Sequence, residues 1–467
     1  MTRVQASTSE LPLPASGADA GTRPRAPITR RRFLQTVGGA AAATGAAAAF
    51  AACSQPEAPN LALDRRIKVG YVGPLTGAQT ASGEADNYNL NMLREVLKNG
   101  LVAGGTRYGV DIVVKDSQSN EDRATQVAND LIDYDKVQMM TAMSDSSSTV
   151  IPTATVCEQR GVPCLSSVTS WNSYVGARDH APNQPFQWTF HYYWGFEQAV
   201  SVFMDIWSQA QTNRTVVGLW PDDKTGTQAS DPKTGYPMYL RKAGYKLIDL
   251  GRYENQNNSP TPDFTPLMAK IAAAKADIMT GGPLAVDFIS IWRQMADRKI
   301  TPPYVTLSRA VNHARQVEAL SPSADGITSG LAWHSSFPFK SSLTGQTSKE
   351  YADQYIEATG RQPTFNLGYG HSLWELLVDV LKRAGGAGDR EALVHAITQT
   401  KLDTMAGRID FTSPNNPNRS IAVMPLVGSQ WRTSDGEGFR FDQVIISNKL
   451  MPEVPITGEL TPIRLRG

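Results

Sequence analysis

The chain has 467 residues, roughly enough for two to four domains, and its hydrophobic and charged fractions are those of an ordinary globular protein. Its 45 lysines and arginines almost balance its 44 aspartates and glutamates, which leaves a formal net charge of +1. No overall electrostatic field therefore favours a nucleic acid or an anionic bilayer as a partner, and partners must be recognised by local sites.

The first 53 residues are predicted to be a disordered leader followed by an export signal. Residues 1–28 are rich in Pro, Ser, Ala and Gly and have no apolar period, which is typical of disorder. Residues 30–34, RRRFL, resemble a twin-arginine export signal. The weakly apolar stretch from 37 to 52 is shorter than the roughly 20 residues that a spanning helix needs, so it suits a cleavable signal rather than a permanent anchor.

Cys53 closes this apolar stretch in the sequence FAAC, which resembles a bacterial lipobox. In a lipobox the cysteine is lipidated and becomes the new N-terminus; the alternative is a twin-arginine substrate cleaved nearby, with Cys53 incidental. Residues 54–64 contain two prolines and are predicted to be a short tether. We therefore expect a protein exported by the twin-arginine route and lipid-anchored on the outer face of the cytoplasmic membrane, or periplasmic.

From Arg65 onward, short apolar strands alternate with longer helical stretches, a pattern that indicates a parallel sheet covered on both faces. In chain order this series comprises the strand RIKVGYVGPLTG, the helix ADNYNLNMLREVLKNG, the strand YGVDIVVKDSQ, the helix EDRATQVANDLIDYDK, the strand VQMMTAM, the helix TVIPTATVCEQRG and the strand VPCLSS.

A second series of the same kind follows the segment QPFQWTF, and one doubly wound sheet rarely accommodates so many units. We therefore predict an α/β fold with two lobes. The second series comprises the helix AVSVFMDIWSQA, the strand TVVGLWP, the helix GYPMYLRKAG, the strand YKLIDLGRY, the helix FTPLMAKIAAAK, the strand ADIMTGG, the helix VDFISIWRQMADRK and the strand PYVTLS. The last third of the chain adds the helices LGYGHSLWELLVDVLKRAGG and REALVHAITQT and the β-like pieces GRIDFT and IAVMPLVG.

Two further features of the mature chain can be read locally. Residues 222–236, DDKTGTQASDPKTGY, are predicted to be a long polar loop, and loops of that length tend to be functional or mobile. Cys157 and Cys164 are compatible with either a disulfide, which export permits, or two buried free thiols.

The sequence offers no pattern that requires catalysis. It has no GxSxG nucleophile turn, no phosphate-binding loop in the mature chain, and six scattered histidines without the spacing of a zinc site. We therefore expect no enzyme, no cofactor and no metal site.

Polar loops instead follow several predicted strands, where open α/β sheets bind ligands. Four such loops are TASGE, MSDSSST, SSVTSW and GGPLAVD. In MSDSSST the hydroxyls fall at the start of a helix, where they and the free backbone N–H groups form an anion site. A simple N-cap explains one serine of this loop but not the whole cluster, so ligand binding is the preferred interpretation.

These loops carry a resemblance to a known family. From about Ile67 to about Val427 the chain resembles a solute-binding protein of ABC importers, of the branched-chain amino acid (Leu/Ile/Val) type. The landmarks occur in the family's order and are IKVGYVGPLTG, DIVVKDSQSNEDRATQVANDLIDYDKV, SSSTVIPTATVCEQRGVPCLSS, AVDFISIWRQM and GRIDF.

The resemblance implies a type I periplasmic-binding fold, with two doubly wound lobes joined by three hinge crossings that close on a ligand. The implied lobes comprise residues 65–189 plus 331–422, and residues 190–330 plus 423–467. The crossings are expected near 188–191, 328–332 and 421–424.

By position in the family, Ser146 would bind the carboxylate of the ligand, with Ser147 and the helix N-terminus in support. Val168 and Ser170 match positions that touch the same ligand, and Thr169 lies between them. A second group comprises Tyr192 or Tyr193 as the second-lobe aromatic over the ligand, Asp287 as partner of an ammonium group, and Ser82 where the family often has an aromatic.

The chain departs from the family pattern at Ser82, which replaces an aromatic residue, and at Asp287, whose register is uncertain. Together with the extra rings of HYYWG, Trp171 and Trp220, these departures suggest a solute other than Leu, Ile or Val, such as a larger aromatic or aliphatic acid. The resemblance implies a monomeric, non-enzymatic receptor that works with an ABC permease and its ATPase subunits and binds no nucleic acid. A ligand-sensing regulator of the same fold is the alternative, against which the export signal argues.

Overall fold

The computed structural model describes residues 65–145, 147–256, 262–320, 324–434 and 438–463. The predicted leader, Cys53, the tether and Ser146 lie outside these residues. Within the described ranges, no helix has both the length and the apolar character needed to cross a membrane.

The first series of elements runs from Arg66 to Tyr193. It comprises β1 (Arg66–Gly73), α1 (Asp86–Val96), β2 (Leu101–Ala103), β3 (Thr106–Asp116), α2 (Glu121–Asp133), β4 (Met139–Met143), α3 (Ser147–Arg160), β5 (Cys164–Ser167), α4 (Trp171–Gly176) and β6 (Thr189–Tyr193).

The second series runs from Phe196 to Leu331. It comprises α5 (Phe196–Ser208), β7 (Thr215–Pro221), α6 (Lys224–Ser230), α7 (Tyr236–Lys242), β8 (Lys246–Tyr253), α8 (Thr265–Ala274), β9 (Ile278–Gly281), α9 (Ala285–Asp297), β10 (Tyr304–Leu307), α10 (Ala314–Leu320) and β11 (Thr328–Leu331).

The remaining elements are α11 (Ser348–Thr359), α12 (Phe365–Arg383), α13 (Arg390–Thr398), β12 (Lys401–Thr404), β13 (Gly407–Asp410), β14 (Ile421–Val423), β15 (Val427–Thr433) and β16 (Phe441–Ser447).

The strands form two large sheets and one small hairpin. The first sheet has the order β14-β6-β5-β4-β1-β3-β2, and all its pairings are parallel except that of β2 with β3. The second has the order β16-β15-β11-β10-β9-β7-β8, with β15 and β16 antiparallel to their neighbours. Helices alternate with the parallel strands, so the prediction of two doubly wound α/β lobes is confirmed.

The chain passes between the two sheets three times. It leaves the first sheet after Tyr193, returns after Leu331 and crosses again after Val423. Residues 190–193 belong to β6 of the first sheet, because that strand pairs with β5 and β14. The expected lobe boundary at residue 190 therefore falls inside a strand.

Helix α12 is the centre of the first lobe's core and is buried along most of its length. It packs so closely that a Cβ added at Gly368 would lie 2.4 Å from the ring of Trp333. The predicted polar loop 222–236 is wrong in part, because it contains α6. The Asp223 carboxylate accepts a hydrogen bond from the Gly226 backbone N–H at 2.6 Å and so caps that helix.

Cys157 and Cys164 lie on α3 and β5, and both are buried free thiols. This is one of the two arrangements that the sequence left open.

Candidate functional site

A cleft lies where the carboxyl ends of strands from both sheets meet. The open space in it, including the part continuous with solvent, is about 520 Å³. Its lining residues follow β4, β5 and β6 of the first sheet and β7, β9 and β10 of the second; they are Asp145, Val168, Thr169, Ser170, Tyr193, Trp194, Phe196, Trp220, Thr225, Ala229, Tyr236, Gly282, Ser308, Arg309 and Asn312.

The loop between β5 and α4 forms the first-lobe side of the cleft. Val168 has a φ of 76°, a left-handed conformation that is costly for a β-branched residue. The Thr169 hydroxyl donates to the Ser144 carbonyl at 3.0 Å, and its own carbonyl accepts a hydrogen bond from His191 Nε2 at 2.6 Å. Burial lowers the pKa of His191 to about 3, so the ring is neutral and its other nitrogen accepts from the Ser166 hydroxyl. These contacts fix the loop against the sheet.

Five aromatic rings give the cleft a largely apolar wall. Tyr193 ends β6 and Trp194 follows it, with their ring centroids 4.9 Å apart. Tyr236 lies 5.4 Å from Phe196 and 5.1 Å from Trp220, again between ring centroids. A wall of this kind suits the apolar body of an organic ligand.

Arg309 supplies the positive charge of the cleft. Its guanidinium donates to Asp223 Oδ2 at 2.9 Å and to the Gly282 carbonyl at 3.3 Å, and its side chain is 11% exposed. Burial alone would lower the pKa of Arg309, but the adjacent Asp223 carboxylate raises it, so the group stays charged. Sequence reasoning missed this residue, although its position directly after the predicted strand PYVTLS was the available signal.

Asp145 supplies a negative charge at the boundary of the lobes. His313 Nε2 donates to Asp145 Oδ2 at 3.0 Å, and the Asp145 backbone N–H donates to the Ser82 hydroxyl at 3.0 Å. Burial alone would raise the pKa of Asp145, but the hydrogen bond from His313 and its charge lower it, so the carboxylate is ionised. His313 lies just after Arg309 in the second lobe and was also missed.

Two ion pairs at the edge of the cleft also join the lobes. Lys224 contacts Glu121 at 2.7 Å, and Arg315 contacts Glu84 at 3.1 Å. The two lobes are therefore in direct contact in this structure.

The sequence profile of the periplasmic binding protein family matches residues 66–435, most of the chain. The chain belongs to the periplasmic binding protein family. It resembles the Leu/Ile/Val-binding protein homolog 2 of Brucella abortus. The two are 21% identical over 388 residues, which cover 81% of this binding protein and 93% of its relative.

Solved structures share the fold of this binding protein. The leucine binding protein LivK of Thermotoga maritima has a TM-score of 0.66 and 17% identity, and the match covers 82% of this chain and 100% of that one. A solute binding protein of an ABC transporter from Rhodopseudomonas palustris, in complex with 3,4-dihydroxybenzoic acid, has a TM-score of 0.62 and 20% identity, covering 81% and 97%. The resemblance to the Leu/Ile/Val-type solute-binding proteins and the type I fold are thus confirmed.

The cleft of this binding protein brings together four of the residues expected from the sequence, Val168, Thr169, Ser170 and Tyr193. Tyr192 lies elsewhere, because successive residues of a strand point to opposite faces. Its hydroxyl bonds to the Ser372 hydroxyl at 2.9 Å in the first-lobe core, and its strand belongs to the first sheet rather than to the second lobe.

Three other expected site residues, Asp287, Ser82 and Ser147, do not line the cleft. Asp287, in the first turn of α9, accepts a hydrogen bond from the Gln256 backbone N–H at 3.0 Å, and burial raises its pKa. Ser82 holds the Asp145 loop, and Ser147 is buried at the start of α3. Ser146, next to Ser147, lies outside the described residues. A binding role for these residues stays a prediction.

Proposed function

We propose that this protein is the extracytoplasmic receptor of an ABC importer and that it captures a small carboxylic acid between its lobes. The observation that carries the proposal is a cleft with an aromatic wall and one buried arginine, Arg309. The ligand would be an amino acid or, given the number of rings, a larger aromatic or aliphatic acid.

The carboxylate of the ligand would be held by Arg309 and by the N-terminus of α3. A guanidinium presents several N–H donors in a plane, and only two hydrogen bonds of Arg309 are formed within the described part of the protein. The first backbone N–H groups of α3 and the hydroxyls of Ser146 and Ser147 would add donors from the opposite lobe. Two lobes that share one carboxylate would couple binding to closure.

The apolar body of the ligand would rest on the ring wall of Tyr193, Trp194, Phe196, Trp220 and Tyr236. The Rhodopseudomonas palustris neighbour, whose structure contains an aromatic acid, supports this ligand class. The name of the Brucella abortus relative supports a branched-chain amino acid as the smaller alternative.

The partners follow from the same role. The closed, ligand-loaded receptor would be a monomer that docks on an ABC permease, whose ATPase subunits drive uptake. The protein would be exported by the twin-arginine route and tethered through a lipid on Cys53. It would need no catalysis and no cofactor for this task.

A thermal-shift screen of amino acids, aromatic acids and fatty acids tests the proposal. A ligand that binds only the folded protein raises its melting temperature by an amount that grows with ligand concentration. We expect at least one carboxylic acid to do so, and the corresponding amide or alcohol to fail. A shift by amino acids alone would overturn the larger-acid assignment, and no shift by any acid would overturn the proposal.

A further inference from the structure

Asp145 has one carboxylate oxygen in use and one without a partner. Oδ2 accepts the hydrogen bond from His313 Nε2, whereas Oδ1 is buried and has no hydrogen-bond partner among the described residues. The side chain is 7% exposed and lines the cleft. The link to His313 accounts for Oδ2 and leaves Oδ1 unexplained.

An ionised oxygen in this position needs a donor. A buried acceptor without a hydrogen bond is destabilising, and more so when it is charged. Neither neighbouring donor meets the need: the two hydrogen bonds of Arg309 go to Asp223 and to the Gly282 carbonyl, and the Ser82 hydroxyl, which helps to lower the pKa of Asp145, makes no hydrogen bond to Oδ1. The ligand itself would therefore supply the hydrogen-bond donor for Oδ1.

We propose that the acid bound in the cleft also carries an amino or hydroxyl group, which donates a hydrogen bond to Asp145 Oδ1. This inference rests on the proposed function and narrows its ligand class. Asp145 then distinguishes acids of the same size by whether they carry a hydrogen-bond donor. Arg309 binds the carboxylate of the ligand, and the ring wall packs against its apolar part. Asp145 also reaches the second lobe through His313, so a donor on the ligand would complete a chain of contacts between the lobes.

Three acids that share one phenyl ring and one carboxylate form a matched test. Phenylalanine carries an ammonium group, 3-phenyllactate a hydroxyl group, and 3-phenylpropanoate neither. We expect the better of the first two to bind at least tenfold more tightly than 3-phenylpropanoate, and the comparison between them tells which donor the site takes. A second matched pair, 4-hydroxybenzoate and benzoate, places the hydroxyl on the ring.

The Asp145→Asn variant tests the residue. His313 requires the amide oxygen, so the amide NH₂ group turns toward the position of Oδ1 and opposes a donor. We expect the preference for the donor-bearing acid to fall at least tenfold in this variant. The exposed Asp297→Asn variant is the control and should keep the wild-type preference.

The outcomes separate this inference from the proposed function. The inference is overturned if the wild-type protein binds the phenyl acids and the benzoates tightly but without preference for those that carry a donor. It is also overturned if that preference is unchanged in Asp145→Asn. Either result leaves the proposed function standing. A different result is that the wild type binds 2-phenylethylamine but no acid, and that Asp145→Asn does not bind this amine. This result supports the donor contact with Asp145 and overturns the assignment of the cleft as a carboxylate site. No binding by any of these compounds overturns the inference, whereas the proposed function falls only if no acid of the full thermal-shift screen binds.

Discussion

At the residue scale, burial sets the charge of several groups outside the cleft. Burial raises the pKa of Asp86 to about 7, although the hydrogen bond from the Tyr71 hydroxyl, at 2.5 Å, lowers it in part. Burial likewise raises the pKa of Glu375 to about 7 and lowers that of His371 to about 3. Within the first lobe, these groups favour their neutral forms.

The shift at Asp86 predicts a pH dependence of stability. Folded Asp86 keeps its proton up to about pH 7, whereas the unfolded chain releases it near the ordinary value of 3.8. The folded state therefore binds more protons between these values, and the free energy of unfolding falls as pH rises through this window. Asp86→Asn should remove this contribution, which is about 4 kcal/mol over the whole window and about 3 kcal/mol between pH 5 and pH 7.

Urea denaturation at pH 5 and pH 7.5 measures this effect. The variant should gain stability relative to the wild type at the higher pH, while Glu375 contributes equally to both proteins and cancels. Asp122→Asn, at an exposed position of α2, is the control. Parallel pH profiles for the wild type and Asp86→Asn would refute the assigned pKa.

Single residues were the hardest part to predict from the sequence. The loop after β5 was identified because hydroxyls at a strand end are visible in the sequence. Asp145 places a negative charge beside the predicted anion site, and its contact with His313, 168 positions away in the chain, shows how that charge is accommodated. The choice between Tyr192 and Tyr193 depends on which face of β6 each occupies, which adjacent positions alone do not reveal.

At the element scale, periodicity located most strands and helices because apolar runs and amphipathic stretches alternate clearly. It failed for residues 222–236, whose polar composition hides α6. That helix has only two buried residues, Gly226 and Ala229, so it depends on its cap and on its neighbours rather than on an apolar face. Its cap, Asp223, is also the partner of Arg309.

Two substitutions of Asp223 separate its role as the N-cap of α6 from its ion pair with Arg309. Asn also accepts the hydrogen bond of an N-cap, so Asp223→Asn should lose the ion pair with Arg309 and keep the cap. Asp223→Ala should lose both and be less stable than Asp223→Asn by about 1 kcal/mol. Chemical denaturation of the two variants side by side measures the difference, and equal stabilities would show that the cap contributes nothing.

At the scale of the whole molecule, two α/β lobes and three connections follow from the alternating pattern and the family resemblance. The arrangement of the cleft does not, because it depends on residues far apart in the chain that meet only when the lobes close. The contacts of Asp145 with His313, Glu121 with Lys224 and Glu84 with Arg315 all join the first lobe to the second. The contact of Asp145 with His313 therefore joins the lobes at a residue that lines the cleft.

Isothermal titration calorimetry of the best acid from the screen tests the central claim most directly, using the wild type, Arg309→Gln and Arg293→Gln. Arg293 is an exposed residue of α9 and serves as the matched control. We predict that Arg309→Gln binds the acid at least tenfold more weakly, because a hydrogen bond between charged groups is worth roughly 1.5–3 kcal/mol. Arg293→Gln should bind like the wild type. An affinity of Arg309→Gln within twofold of the wild type would contradict the assignment of this cleft as the carboxylate site.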